Sequence, residues 1–366
     1  MYIHQHKAWP NLTWDNAKLA KLLAEVHHLQ GRLLGRMDSL GFQLRESAAL
    51  QILTQDVLKT SEIEGEKLDT DQVRSSLARR LGIDIGAVLP AARNVEGIVE
   101  IMLDAAHNHE NPLTKERLLA WHAALFPTGR SGMQFITVGG WRTKASGSMQ
   151  VVSGPYGREK VHYEAPTDDR LNKEMAQFIK WFNAQSETDL IIKSALAHFW
   201  FVTIHPFDDG NGRIARAIAD MVLARSEKSQ QRFYSMSSQI QHEQKAYYHI
   251  LERCQKGPLD ITPWMEWFLN CLKNAITASE EILQTVLTKA QFWSLHTGES
   301  FNPRQHAMIN RLLDGFVGKL NSSKWAKLAK CSQDTALRDI NELLERKILI
   351  KENAGGRSTS YKLYLL

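Results

Sequence analysis

The chain has 366 residues, 43% of them hydrophobic, and a formal net charge of +5, enough apolar material for a sizeable core and two or three domains. A charge this mild does not by itself mark a nucleic-acid binder, and no run of about eighteen apolar residues exists to span a membrane. Cys254, Cys271 and Cys331 form neither a paired framework nor a metal-ligand spacing, and Met1 to Leu12 is polar and broken by Pro10, so a reducing cytoplasm is expected rather than secretion.

From Trp9 to Arg93 the chain reads as helical. Thr13-Trp14-Asp15 opens a run with Leu19, Leu22, Leu23, Val26, Leu29 and Leu33 at helical spacing, and a second run carries Leu44, Ala48, Ile52, Leu53 and Val57. That run closes on Thr60-Ser61-Glu62-Ile63-Glu64-Gly65-Glu66, where Gly65 suits a helix C-cap and the acids suit solvent. His27 and His28 lack an obvious partner in the sequence, while Trp9 and Trp14 read as packing anchors. Ile98, Ile101, Met102 and Ala105 predict a further helix, and Thr114-Lys115-Glu116 opens another.

The stretch from Phe126 to Pro166 is glycine-rich, and Val151-Val152, Gly154-Pro155-Tyr156-Gly157 and Val161-His162-Tyr163 predict a β-hairpin. Thr167-Asp168-Asp169 then caps a helix with Leu171, Met175, Phe178 and Phe182 on one face. Leu190 to Ile204 reads as a buried helix, and apolar spacing resumes from Ile214 to Leu223. Tyr247 to Leu251 belongs to another helix, and Asp260-Ile261-Thr262-Pro263 opens one with proline in its first turn. Beyond Glu280 the composition turns basic. Lys324-Trp325-Ala326-Lys327 and Gln333 to Ile340 predict two short helices with a tight joint, and Gly355-Gly356-Arg357 a wing between Leu349-Ile350 and Tyr361-Lys362-Leu363.

Between the two central helices lies His205-Pro206-Phe207-Asp208-Asp209-Gly210-Asn211-Gly212-Arg213-Ile214-Ala215-Arg216. Gly210 and Gly212 free the backbone so that successive amides can turn toward one point, and the helix that follows adds unpaired N–H donors and the positive end of its dipole. Such a turn cradles an anion, most often phosphate. Arg213 and Arg216 stand three apart, nearly on one helix face, and two guanidinium forks suit a polyphosphate. Asp209 is placed to hold magnesium, and His205 to take a proton from an attacking hydroxyl. The blander alternatives are an Arg216–Asp220 surface pair and capping by Asp208 or Asp209.

The whole string resembles the signature of the Fic family, His-x-Phe-x-(Asp/Glu)-Gly-Asn-Gly-Arg-x-x-Arg, with every defining position matched. The resemblance implies a mainly α fold: a Fic-type helical core over 94–280 with a β-hairpin flap, an N-terminal helical region over 1–93, and a winged helix within 281–366. It implies transfer of AMP from ATP to a Ser, Thr or Tyr hydroxyl of a target protein or of the chain itself, with pyrophosphate released. His205 would be the general base, and Asp209 the ligand of Mg²⁺. Gly210, Asn211 and Gly212 would form the anion hole, Ile214 and Ala215 would belong to the nucleotide-binding stretch, and Arg213 and Arg216 would hold the triphosphate. Tyr247, Tyr248 and Gln255 would lie near adenine and ribose. A Gly rather than a Lys at 212 argues against the phosphorylating relatives.

By the same resemblance, Thr60, Glu64 and Gly65 fit the inhibitory motif (Ser/Thr)-x-x-x-Glu-Gly. Glu64 would draw Arg216 away from the γ-phosphate, and in some relatives the same glutamate also serves removal of AMP. Glu62 and Glu66 stand nearby, but the family spacing does not select them. Val161, His162 and Tyr163 would belong to the flap along which a target segment is laid. Trp141-Arg142 matches a structural arginine before it. The alternative is a DNA-binding regulator with an ancillary Fic core, in which Gln333, Thr335 and Arg338 face the major groove and Lys324, Lys327 and Arg357 meet phosphate. A homodimer is compatible with either reading.

Overall fold

The computed structural model describes residues 1–366 except 86–88, 144–146, 155–156, 314–315, 317, 353–358 and 365–366. Fourteen helices and three small hairpins are found among the described residues, in the order α1 (Asn16–Asp38), α2 (Phe42–Ile63), α3 (Thr70–Leu81), α4 (Arg93–His107), α5 (Lys115–Leu125), β1 (Arg130–Ser131), β2 (Gln134–Phe135), β3 (Gln150–Ser153) and β4 (Lys160–Glu164). There follow α6 (Asp168–Asn183), α7 (Leu190–Ile204), α8 (Asn211–Glu227), α9 (Met236–His242), α10 (Gln244–Gln255), α11 (Thr262–Leu295), α12 (Pro303–Leu313), α13 (Ser322–Leu328), α14 (Gln333–Glu345), β5 (Leu349–Lys351) and β6 (Tyr361–Leu363). The chain divides into two compact units, Met1–Ser279 and Glu280–Leu366.

In the first unit the helix starts are chemically marked. Asp15, Asp69, Thr114, Asp189 and Ser235 each accept a backbone N–H from the first turn of α1, α3, α5, α7 and α9, a contact that stabilises a helix by about 1 kcal/mol. The centre of the unit is α7. Every residue from Ile191 to Ile204 is buried, as expected of a helix apolar on all sides, and α8 lies against it. Around this pair α2 packs on α3, α4, α8 and α9. The N-terminal helices lie in the same compact unit as the glycine string. His27, expected to stand alone, meets Asp189 at 2.7 Å.

The predicted hairpin is β3–β4, antiparallel with Val151 opposite Tyr163 and Val152 opposite Val161. A register shift at Val151/Val152 leaves His162 without an opposite residue. Its predicted turn residues Pro155 and Tyr156 lie outside the described residues.

The second unit has its own core, with Trp325, Ile340, Leu343 and Ile348 fully buried. Asn321 caps α13 and Ser332 caps α14, and Lys330 turns the chain between them at φ 50°. Strands β5 and β6 form an antiparallel pair, and Leu320 bridges to Tyr361. The predicted wing residues Gly355, Gly356 and Arg357 lie outside the described residues.

Candidate active site

The α7–α8 junction is where the glycine string folds back. Helix α7 ends on His205, whose left-handed backbone (φ 52°, ψ 59°) turns the chain sharply while its N–H still donates to Phe201 O at 3.0 Å. Its Nδ1 lies 3.1 Å from Val202 O. That contact requires the hydrogen on Nδ1 and leaves the Nε2 lone pair available. Burial lowers the imidazole's pKa despite the opposing carbonyl contact, so the ring is neutral at neutral pH.

Three side chains hold the turn from behind. Arg142, itself buried, donates from Nε to His205 O at 2.8 Å, from Nη2 to Pro166 O, and from its backbone N–H to Pro206 O at 2.9 Å. Asn211 clasps Phe207 on both sides: its Oδ1 accepts from Phe207 N–H at 3.0 Å and its Nδ2 donates to Phe207 O at 2.8 Å. His122 stacks flat on Phe207, with centroids 4.1 Å apart and planes 4° from parallel. Its Nδ1 accepts from Gly139 N–H at 3.3 Å, so Nε2 carries the hydrogen and donates to Asp209 O at 3.2 Å. Burial lowers the pKa of His122 to about 4, which keeps this arrangement intact at neutral pH.

The anion cradle follows from the helix start. Gly210 sits at φ 81°, a left-handed position where a Cβ would also press on the Phe126 ring at 2.9 Å. It gives α8 no side-chain cap, and the first backbone bond of the helix runs from Ile214 N–H to Gly210 O. The N–H groups of Asn211, Gly212 and Arg213 therefore precede the helical ladder. Gly210 N–H donates to Asp209 Oδ1 at 2.6 Å, and Ser131 donates to Asp209 Oδ2. Asp209 is thus a loop residue held from two sides and not the cap of α8; Asp208 accepts from Thr137 N–H at 2.8 Å.

Both arginines of the string are buried and already occupied. Arg216 donates from Nε to Thr60 Oγ1 at 2.7 Å, and from Nη2 to Thr60 O and Glu64 Oε1, each at 2.8 Å. A Cβ at Gly212 would collide with that same Glu64 oxygen, so the carboxylate lies directly over the glycine turn. Arg213 donates from Nη1 to Glu66 Oε2 at 2.8 Å. Arg216 Nη1 and Arg213 Nε are buried with no acceptor. Two unmet guanidinium donors beside open helix amides form a set that matches phosphate oxygens. Asp220 pairs with the buried Arg232 and not with Arg216; Arg216 is turned toward α2.

The geometry that delivers Glu64 is a helix ending. Gly65 N–H donates to Glu62 O at 3.0 Å and Glu66 N–H to Ser61 O at 3.0 Å, with Gly65 at φ 80°. This is a Schellman turn at the end of α2, and it aims Glu64 and Glu66 at one stretch of α8. Glu66 was not selected by sequence spacing; Glu62 instead meets Lys59 at 2.6 Å.

Tyr247 and Tyr248 lie close enough to Arg216 and Glu64 to feel their charges, and the other expected residues each meet partners of their own. Ile214 and Ala215 are fully buried, leaving only their backbone for a ligand. The side-chain amide of Asn211 is engaged by Phe207, leaving its backbone N–H for a ligand. Tyr247 is buried, with its hydroxyl 2.9 Å from His198 Nε2, and Gln255 is buried with its amide 3.3 Å from Thr203 Oγ1. Tyr248 is 42% exposed, its hydroxyl 3.4 Å from Ile63 O. In the hairpin Val161 is half-buried, and Tyr163 is a core anchor that donates to Thr203 O at 2.7 Å. His162 bridges Ser153 and Glu252, the latter at 2.7 Å. In the second unit, the Gln333 amide is held by Ser322 and Ser323, and Thr335 by Ser332; Arg338, Lys324 and Lys327 are exposed.

Comparison with known proteins agrees with this geometry. Residues 112–223 match the Fic/DOC family, and residues 2–83 match a domain of unknown function, DUF4172. A protein adenylyltransferase Fic of Drosophila ananassae is 23% identical over 252 residues, 66% of this chain and 45% of the fly protein. The counterpart in Drosophila yakuba is 28% identical over 131 residues, 34% of this chain and 25% of that protein. The chain thus spans less than half the length of these relatives. Among solved structures, a Fic family protein from Desulfovibrio desulfuricans is 22% identical with a TM-score of 0.52, covering 97% of this chain and 98% of its own. A Fic-domain signaling protein from Bacteroides thetaiotaomicron is 19% identical with a TM-score of 0.54, covering 71% and 97%. Both show the mainly helical fold.

Proposed function

We propose, from the premise that this chain carries a Fic/DOC-family domain, that it transfers AMP from ATP to a hydroxyl of a protein target or of itself, and that Glu64 restrains the resting state. The observation that carries the transfer reading is the His205 tautomer. Its Nδ1 hydrogen is fixed on Val202 O, so Nε2 is the basic nitrogen, on the turn that leads into the open amides of α8.

In the step so read, His205 Nε2 takes the proton of the attacking hydroxyl. The hydroxyl oxygen bonds to the α-phosphorus, the bond from that phosphorus to the bridging oxygen breaks, and pyrophosphate leaves with the electron pair. Charge growing on phosphate oxygens would meet the N–H groups of Asn211, Gly212 and Arg213 and the unmet donors of both arginines. Magnesium, where it accompanies the nucleotide, neutralises phosphate charge. Asp209 is the carboxylate that would hold it. Among the described residues no cluster of three His, Cys, Asp or Glu could bind a metal alone, which suits an ion taking one carboxylate and completing its shell with phosphate and water.

Restraint by Glu64 rests on competition: one carboxylate and one phosphate cannot share the Arg216 fork. Target binding is read at the β3–β4 hairpin. Among the described residues the sheet has two strands, so β3 presents an edge to which an extended segment can add. No described helix is long and apolar enough to cross a membrane.

Intact-mass analysis of the full chain with ATP and magnesium tests the reading. The native chain should gain little, Glu64→Gly should gain AMP readily, and Glu64→Gly with His205→Ala should gain none. Incorporation surviving the loss of His205 would reject the base assignment, and equal incorporation with and without Glu64 would reject the restraint.

A further inference from the structure

We propose that the cleft beside the glycine loop is a diphosphate subsite completed by Arg93 and Arg130, and that Glu66 is its resting counterion, a second gate acting on Arg213. The identity of the ligand rests on the AMP-transfer reading; the gate itself rests on contacts within the chain.

The cleft has a volume of about 750 Å³ and is bordered by Arg93, Arg130 and Arg213 on one side of its charge balance and by Glu64, Glu66 and Asp209 on the other. Its carboxylates are not equivalent. Glu64 is engaged with Arg216, and Asp209 with its own loop and the Ser131 hydroxyl. Glu66 joins a buried arginine to a second helix, accepting from Arg213 Nη1 on α8 and from Asn94 Nδ2 in the first turn of α4, both at 2.8 Å. A carboxylate bonded at once to a buried guanidinium and to a neutral amide donor marks a place where two anionic oxygens are well received.

The receiving groups are fixed or unclaimed. Arg213 is held against the Phe126 ring, 5.2 Å from its centroid, and its Nε is buried without an acceptor. Arg93 and Arg130 are exposed and have no ion-pair partner among the described residues; Arg130 lies over the Phe135 ring at 3.9 Å. Ala92 gives α4 no side-chain cap, so that helix presents its positive end near Arg93. Withdrawing Glu66 would leave the cleft with a surplus of cationic donors, and a diphosphate is the group the proposed reaction brings there. Glu64 and Glu66 hang on the same Schellman turn but hold different arginines, so removal of either leaves the other fork occupied.

The test is calorimetric titration of the full chain with inorganic pyrophosphate, ATP and AMP at constant magnesium. Glu66→Gln should tighten pyrophosphate binding about tenfold, the scale expected of releasing one charged hydrogen bond. Arg93→Ala or Arg130→Ala in that background should undo several-fold of the gain, and AMP binding should stay unchanged throughout. Glu66→Asp, which keeps the charge but shortens its reach, should fall between native and Glu66→Gln. A parallel gain for ATP would place the β,γ end of the bound nucleotide in the cleft; a gain for pyrophosphate alone would make it the leaving product's site. Pyrophosphate affinity unmoved by Glu66→Gln, or by both arginine variants, overturns the proposal, as does an equal change for AMP. Assaying AMP transfer in Glu64→Gly, which keeps His205, separates the two readings: failure to transfer AMP there, with the pyrophosphate response to Glu66→Gln intact, defeats the transfer reading and leaves the subsite standing.

Discussion

His205 occupies a backbone region that costs a non-glycine residue on the order of 1–2 kcal/mol. Its N–H on Phe201, its ring on Val202 and the grip of Arg142 on its carbonyl hold it there. The left-handed turn takes the chain sharply out of α7 and leaves the ring within reach of the charges of Glu64 and Asp209. Burial is the main cause of its lowered pKa, and Glu64 is among the charges that oppose the lowering. Because the neutral ring is the basic form, a lowered pKa extends activity toward acid. In Glu64→Gly, the acid limb of AMP transfer should therefore have its midpoint below 6.5, and removal of the opposing charge shifts it further to acid. An acid limb at or above 6.5 in that variant's pH–rate profile would remove His205 from the role.

The residues of the string could be read from sequence because their chemistry and spacing sit within twelve positions. His122 could not. Its partners Asp209 and Gly139 are 87 and 17 residues away, and one histidine in an apolar helix carries no local signal of stacking on Phe207. Nor could the clasp of Asn211 on Phe207, because the string shows an amide between two glycines and not where its polar atoms turn.

Among the elements, the end of α2 has the most leverage. Gly65 as a C-cap was legible, since a glycine after an apolar-periodic run is how such helices stop. That the turn would carry Glu66 onto Arg213 was not, because the direction depends on the Glu66–Ser61 bond and on where α8 lies. The conformation makes a specific demand. No atom crowds a Cβ at Gly65, yet its φ of 80° disfavours one, so Gly65→Ala should cost about 1 kcal/mol by strain alone. If that strain loosens the turn, Glu64 and Glu66 both lose their fixed approach. AMP incorporation should then rise roughly five-fold, the population change that about 1 kcal/mol allows. Incorporation equal to that of the native chain, together with a lowered denaturation midpoint, would mean that the turn sets stability without setting restraint. The β3–β4 hairpin was legible in the same way, from alternation and glycines. The burial of Tyr163 was not, because it depends on the distant carbonyl of Thr203.

For the whole molecule, the shift to basic composition near Glu280 was visible in sequence, while the packing of the N-terminal helices into the first unit depends on contacts of α2 that no local pattern encodes. The two units should respond differently to acid. In the first, burial lowers the pKa of His4 to about 4, of His122 to about 4 and of His198 to about 3. An imidazole kept neutral in the fold and free to charge at about 6.5 when unfolded leaves more protons on the unfolded chain, so stability falls as pH drops below that value. Asp220 opposes this: its pKa is raised to about 7 by burial, so the folded chain takes up that proton first. Three histidines against one aspartate leave roughly two extra protons on the unfolded chain near pH 5, a loss on the order of 3 kcal/mol per pH unit. Among its described residues the second unit buries no histidine. Calorimetric melting at pH 7 and pH 5 should therefore show the first unit's transition moving down by several degrees while the second's stays nearly in place. A first-unit transition that holds its temperature across that interval would mean that these imidazoles are hydrated in solution, and with His122 hydrated, the stacked support beneath Phe207 and the glycine turn would be lost as well.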